Sequence, residues 1–260
     1  MPAYQLWISF YTMLRKDVVR MFRIWAQTFL PSVVTSVLYF SVFGTILGSR
    51  IGEMQGVDFI EFVVPGLVML AVVTNAYANT SFMFFQSKFF FRGIDEILVS
   101  PTPPWVMIAG FISGGVVRGI LSGILVYAIS LFFTGLEISI HSALIMLAFG
   151  FLTALVFSLA GLVNGIYAKS IDAINLVPTF VLTPLVYLGG VFFSIHILPA
   201  WAQSLMYVNP LFYLVNGFRY GSLGITDIPL SLALSVLFGM IAVLVAVNWY
   251  FIRTGMGLRQ

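Results

Sequence analysis

The sequence predicts an all-α polytopic membrane protein. It has six transmembrane helices, an N-terminal amphipathic interfacial helix, a short re-entrant or interfacial outer segment between spans five and six, and cytoplasmic N and C termini. Three observations carry this expectation. Hydrophobic residues make up 60% of the 260 positions and charged residues 8%, where a soluble domain carries about 25% charged residues. Mean hydropathy is +1.06. The charges that do occur are gathered between long uncharged runs, each able to hold a helix of about 20 residues.

Residues 4–23 open the chain as an amphipathic helix. Trp7, Phe10, Tyr11, Leu14, Val18, Met21 and Phe22 follow helical spacing, while Lys16, Arg20 and Arg23 lie on the other face. A basic face opposite an aromatic one suits a helix lying in the membrane interface. A cleaved signal peptide does not fit, because the first 14 residues are uncharged and the basic cluster follows them.

Four uncharged runs, 24–49, 62–87, 138–168 and 228–252, each hold one span. Residues 97–117 begin with three prolines in four positions, Pro101, Pro103 and Pro104, which cannot sit inside a helix. A span therefore starts near Trp105, runs to Phe133, and carries Arg118 in its middle. Residues 173–218 are uncharged for 46 positions, but Pro199 and Pro210 break the second half. The expected spans are 26–48, 60–85, 105–133, 143–167, 173–194 and 229–252, with 195–225 as short segments at the outer face.

Lysine and arginine set the orientation. Arg15, Lys16, Arg20, Arg23, Lys88, Arg92, Lys169, Arg253 and Arg259 fall on one side, and only Arg50 and Arg219 on the other. The positive side is cytoplasmic. Arg118 lies at bilayer depth, where a cation costs at least about 2.5 kcal/mol without water or a partner. It reads equally as a path-facing group or as a hydrogen-bond donor to helix-end carbonyls. The loop after span two, residues 88–100, forms a short amphipathic helix ended by Pro101. Arg92 can pair with Asp95 or Glu96, and Ile94, Ile97 and Leu98 make an apolar ridge. Such a ridge is costly to expose and suits a partner surface.

The composition excludes several chemistries. Without cysteine there are no disulfides or thiolate metal sites. A P-loop needs lysine after glycine, and Lys16, Lys88 and Lys169 follow Arg15, Ser87 and Ala168. The two histidines, His141 and His196, fall at the outer ends of spans, away from Ser122 and Ser158, so a serine hydrolase is poorly supported. No acidic residue sits inside a span to relay protons. A net charge of +3 gives no reason to expect nucleic acid.

In the outer segment, Gly189-Gly190-Val191-Phe192-Phe193-Ser194, Leu198-Pro199 and Asn209-Pro210-Leu211-Phe212-Tyr213 through Arg219 resemble the C-terminal signature of ABC-2 type transport permeases. The resemblance covers nearly the whole chain. It includes the basic N-terminal helix, Val64-Pro65-Gly66, and the run from Arg92 to Pro101. Thr74-Asn75-Ala76-Tyr77-Ala78-Asn79 and 176–184 are most similar to the YadH-type subgroup of bacterial inner-membrane permeases. Phe89-Phe90-Phe91 is more apolar than that pattern. The resemblance implies a single transmembrane domain over 1–260, with two copies forming the membrane part of an exporter. Separate P-loop ATPase subunits hold ATP and magnesium, this chain binds no cofactor of its own, and lipids surround it. On this reading Arg92, Asp95, Glu96 and Ile97 couple to the ATPase, Arg118 belongs to the translocation path, and Asn209, Pro210, Tyr213 and Arg219 belong to an outer gate. Amphipathic, lipidic or glycan-type substrates and drugs suit the few charges in the spans. An ATPase-independent carrier or channel is the alternative.

Overall fold

The computed structural model describes residues 2–90, 93–134 and 141–257. Its elements are helical apart from one hairpin. Helix α1 runs Ala3–Arg23, close to the range expected from the sequence. After Ile24 the chain turns into α2, Trp25–Tyr39, which continues as a π-helical stretch Phe40–Leu47 and a last turn α3, Gly48–Ile51. The hairpin that follows pairs β1, Glu53–Met54, with β2, Val57–Asp58. It departs from a wholly helical chain for a local reason. Gln55 and Gly56 both take positive φ, 54° and 80°, the left-handed pair that a two-residue hairpin turn requires.

Helix α4, Phe59–Phe89, is 31 residues long. The short α5, Gly93–Val99, follows it. Pro104 occupies the first turn of α6, Pro104–Phe133, where its missing N–H costs nothing. Ser142 caps α7, Ala143–Tyr167, by accepting from Ile145 N. Ser170 likewise caps α8, Ile171–Val177, by accepting from Ala173 N.

Five helices are long and apolar enough to cross a membrane: Trp25–Gly44, α4, α6, α7 and α12, Leu230–Thr254. The fifth expected span, 173–194, is shorter than the sequence suggested. Helix α8 passes through a π-helical stretch at Pro178–Leu182 into α9, Thr183–Tyr187, and the helical run ends at Tyr187. Two prolines loosen it. Leu188 and Gly189 turn back onto Pro184 and Val186, and Gly190 takes a φ of +73° that favours glycine. The segment 195–225 folds as a single 3-10 turn, then α10, Ala200–Val208, and α11, Pro210–Leu223.

Helix α4 is the centre of the bundle. Small residues let its neighbours approach. A Cβ on Gly119 of α6 would stand 3.0 Å from Val72 O, one on Gly161 of α7 would stand 2.5 Å from Tyr77 O, and one on Gly165 would stand 2.8 Å from Ser81 O. Gly66 of α4 receives the Val191 backbone at 2.7 Å in the same sense. Helix α11 runs antiparallel to the first half of α7, with Gly217 against Phe149 and Gly221 against Met146.

The contact at Gly161 has a measurable consequence. Gly161→Val must push α7 off the α4 backbone, at a cost of about 1–3 kcal/mol. We expect a lower melting temperature in mild detergent, whereas Gly239→Val, where a Cβ meets nothing within 4 Å, should leave it unchanged.

Candidate functional site

One end of the bundle gathers α1, α5 and the ends of α4, α7 and α12. Lys88 of α4 donates to Ile166 O at 3.0 Å and to Gly257 O at 2.5 Å, tying the three helix ends together. At this end Ile94 anchors α5, buried in a cluster with Phe84 and Ile108. Glu96 and Leu98 are exposed, Ile97 is half-buried, and Val99 is 88% exposed. Arg92 and the side chain of Asp95 lie outside the described residues, so of the expected coupling residues only Glu96 and Ile97 can be placed. Both line a cavity of about 450 Å³ between α5, α6 and α1, which Lys16 and Thr12 close from the α1 side.

Helix α1 is clamped to the bundle by polar groups. Asp17 is 5% exposed and presses on Gly114 of α6. Burial pushes its carboxyl up to about 6, against the opposing pull of Arg20 and Lys16. Arg20 Nη2 donates to Asn79 Oδ1 at 3.2 Å. One turn earlier on α4 the pattern recurs. Arg118 of α6 donates from Nε to Asn75 Oδ1 and from Nη2 to Thr28 O, both at 3.2 Å. Asn75 Nδ2 in turn donates to Ser32 Oγ at 2.9 Å. The guanidinium thus ties α6 to α4 and α2, with one bond to a carbonyl within the first turn of α2.

Helix α4 leaves one face uncovered. Thr74, Ala78 and Phe82 are exposed, and Leu70 and Gln86 partly so, four residues apart along an otherwise buried helix. Beside this stripe lies a cavity of about 330 Å³ between α2, α4 and the α8–α9 run. Hydroxyls of Thr74, Thr179 and Thr183 and the rings of Tyr39, Tyr187 and Phe192 line it. Sequence reasoning did not single out this wall. The signal was the run of polar residues from Thr74 to Ser81 inside an uncharged span, which is expensive in lipid unless it faces partners or water.

The other end of the bundle holds the expected gate residues. Asn209 caps α11 by accepting from Leu211 N at 3.0 Å, and it donates to Leu185 O at 2.6 Å. Pro210 occupies the first position of α11. Tyr213 donates to Tyr207 O at 2.7 Å, locking α10 to α11. Arg219 stands apart from these three. It is fully buried, its Nη2 donates to Gly190 O at 2.7 Å, and its guanidinium carbon sits 3.8 Å from the centroid of the Phe62 ring.

A polar knot the sequence did not reveal lies close by. The buried Asp227 carboxylate accepts from Ser194 Oγ at 2.8 Å and from Gln55 Nε2, with His196 Nε2 at 3.5 Å. Asp227 N donates to Asn216 Oδ1 at 2.9 Å. This joins the hairpin, the 3-10 turn, α11 and the 224–229 loop. His141 packs edge-on against Tyr220. Neither histidine therefore stands beside Ser122 or Ser158. Among the described residues no three His, Asp or Glu side chains converge on a metal-sized site.

The family described as ABC-2 type transporter matches residues 8–223. The inner membrane transport permease YadH of Escherichia coli K12 is 50% identical over 254 residues, covering 98% of both chains. Nodulation protein J of Rhizobium meliloti is 24% identical over 84% of this chain and 81% of its own. The daunorubicin resistance ABC transporter permease protein DrrB1 of Streptomyces coeruleorubidus is 23% identical over 81% of this chain and 74% of its own.

Two outcomes follow from the clamp. Arg118→Ala leaves the Asn75 acceptor without its donor and should cost about 1–3 kcal/mol, read as a lower denaturation midpoint in detergent. Unchanged stability with lost transport would assign the guanidinium to the path instead. For Asp17 the folded pKa lies above the usual carboxylate value of 3.8. The folded form therefore binds the extra proton, and stability is full below about pH 4 and falls as pH rises to about 6. Asp17→Asn should flatten that window in pH-dependent melts, and the slope removed should amount to on the order of 1–3 kcal/mol.

Proposed function

The chain belongs to the ABC-2 type transporter family as an inner-membrane transport permease, and on that premise we propose that it is the membrane half of an ATP-driven exporter. Two copies assemble around the uncovered α4 face, and separate P-loop ATPase subunits dock against α1 and α5. The chain crosses the membrane six times, counting the α8–α9 run, with both termini in the cytoplasm. The observation that carries this reading is the stripe Leu70–Thr74–Ala78–Phe82–Gln86. The middle of helix α4 is otherwise buried, and a cavity lined by hydroxyls and aromatic rings flanks the face left open. A second copy would close that cavity into a path between two such walls.

The orientation is supported by the charges. Among the described residues Arg15, Lys16, Arg20, Arg23, Lys88, Lys169 and Arg253 lie at the α1–α5 end, and Arg50 and Arg219 lie at the hairpin end. Basic residues favour the cytoplasm, which sets α5 where an ATPase can reach it. Arg92, Asp95, Glu96 and Ile97 form the coupling element, and nucleotide-driven closure of the ATPase pair levers α5 and α1 together. Arg118 transmits that motion along the path wall, because it holds α2 and α6 to α4. Asn209, Pro210, Tyr213 and Arg219 set the rigidity of the α10–α11 unit that gates the outer end. Aromatic rings interleaved with hydroxyls suit amphipathic cargo, lipidic, glycan-type or drug. The relative named for daunorubicin resistance supports the drug class.

The absence of cysteine from the sequence makes the test clean. Ala78→Cys should give a dimer with a short bifunctional thiol reagent in intact membranes, and Phe238→Cys on the exposed face of α12 should not. The docking arm uses Glu96→Lys combined with Ile97→Asp. The wild-type protein should co-purify a P-loop ATPase, identified by mass spectrometry. The double variant should lose it while inserting and melting normally. A homodimer that carries no ATPase, yet transports after reconstitution, would favour the carrier reading.

A further inference from the structure

We propose that the basic cleft between α1 and the end of α4 binds the phosphate-bearing headgroup of an anionic lipid. The cleft is a cavity of about 510 Å³. Arg15, Lys16, Arg20 and Arg23 line it from one face of α1, and Met83 and Gln86 line it from α4. Four of the chain's 12 lysines and arginines thus share one cavity, with no carboxylate among the lining residues. Asp17, the acid nearest in sequence, turns the other way onto Gly114 of α6.

Charge of one sign in a partly enclosed space raises the local concentration of anions. Guanidinium groups match phosphate oxygens in paired, parallel hydrogen bonds. Arg20, which lines the cleft, is already held in place by Asn79, so its guanidinium need not be ordered first. Arg15 and Arg23 are exposed at the rim.

The surroundings select a lipid over a soluble anion. Trp7, Tyr11, Phe22 and Trp25 stand exposed along α1 and the start of α2, the residue types found at headgroup depth. Tyr11, Val19 and Met83 add apolar surface to the cleft wall, where an acyl chain can lie. Basic pockets beside spanning helices on the cytoplasmic side are suited to such headgroups. This site rests on the interfacial placement of α1 expected from its sequence and on the cytoplasmic orientation proposed above, but on neither the ATPase nor the cargo.

The test is native mass spectrometry of the full-length protein in mild detergent, titrated with cardiolipin, phosphatidylglycerol and phosphatidylcholine. We expect retention of the two anionic lipids over phosphatidylcholine. Arg15→Gln with Arg23→Gln changes two rim residues that the fold does not need, and it should weaken cardiolipin binding on the order of 10–30-fold. Lys169→Gln, basic and at the same end but outside the cleft, should barely change it. Equal retention of all three lipids, no loss in the double variant, or an equal loss with Lys169→Gln overturns the site. Inorganic pyrophosphate binding as tightly as cardiolipin makes it a soluble-anion site and overturns the lipid assignment. If the double variant keeps cardiolipin but loses the ATPase, the cleft is part of the docking surface and the lipid proposal fails. Lost lipid preference with the ATPase still bound overturns this site alone and leaves the permease reading standing.

Discussion

The fold depends on how closely three helix backbones approach one another. Within a bilayer the lipid tails are as apolar as the side chains, so helices gain little by merely hiding hydrophobic surface from their solvent. What holds them is contact at short range, and α4 obtains it from glycines on both neighbours. Gly119 lets α6 in and Gly161 and Gly165 let α7 in, each at a distance a side chain would occupy. Once α4 is fixed between them, Gly66 seats Val191 and Asn79 receives Arg20. The outer unit and the N-terminal helix are thus both referred to the same central rod.

Polar groups then specify what close packing alone leaves open. Buried Asn75 and Asn79 sit one turn apart on α4, and each accepts from an arginine of a different helix, Arg118 of α6 and Arg20 of α1. A slip of one turn would leave one of the two arginines without an acceptor in a medium that supplies no water. At the opposite end, Asp227 joins four separate segments through Ser194, Gln55, His196 and Asn216. One polar cluster runs from the middle of α4 toward α1, and the other stands at the hairpin end of the bundle.

Much of the architecture was legible because it follows from length and charge. Uncharged runs between charged residues gave α4, α7 and α12 to within a few residues, and the prolines up to Pro104 marked the start of α6. The fifth span misled for a physical reason. Hydropathy counts apolar residues but does not see that Pro178 and Pro184 loosen the helix and that Gly189-Gly190 ends it at Tyr187. The partners of Arg118 were not legible either, since Asn75 and Thr28 are 43 and 90 positions distant. Gln55 was invisible for the same reason, as its value lies in meeting Ser194 across 139 residues. Pattern reading finds elements that are local. It cannot find pairs that only the folded chain brings together.

The helical run Ile171–Tyr187 has 17 residues and reaches about 25 Å, against about 30 Å of hydrocarbon. This shortfall lies beside the open face of α4, on the same flank of the bundle. A bilayer meeting that flank must thin or tilt to cover it, at fractions of a kcal/mol per ångström of mismatch. Burying the flank against another helix bundle abolishes that deformation. Membrane thickness therefore becomes a variable in the proposed assembly: a thicker bilayer penalises a lone chain more and would favour bringing two such flanks together, independently of any contact they make.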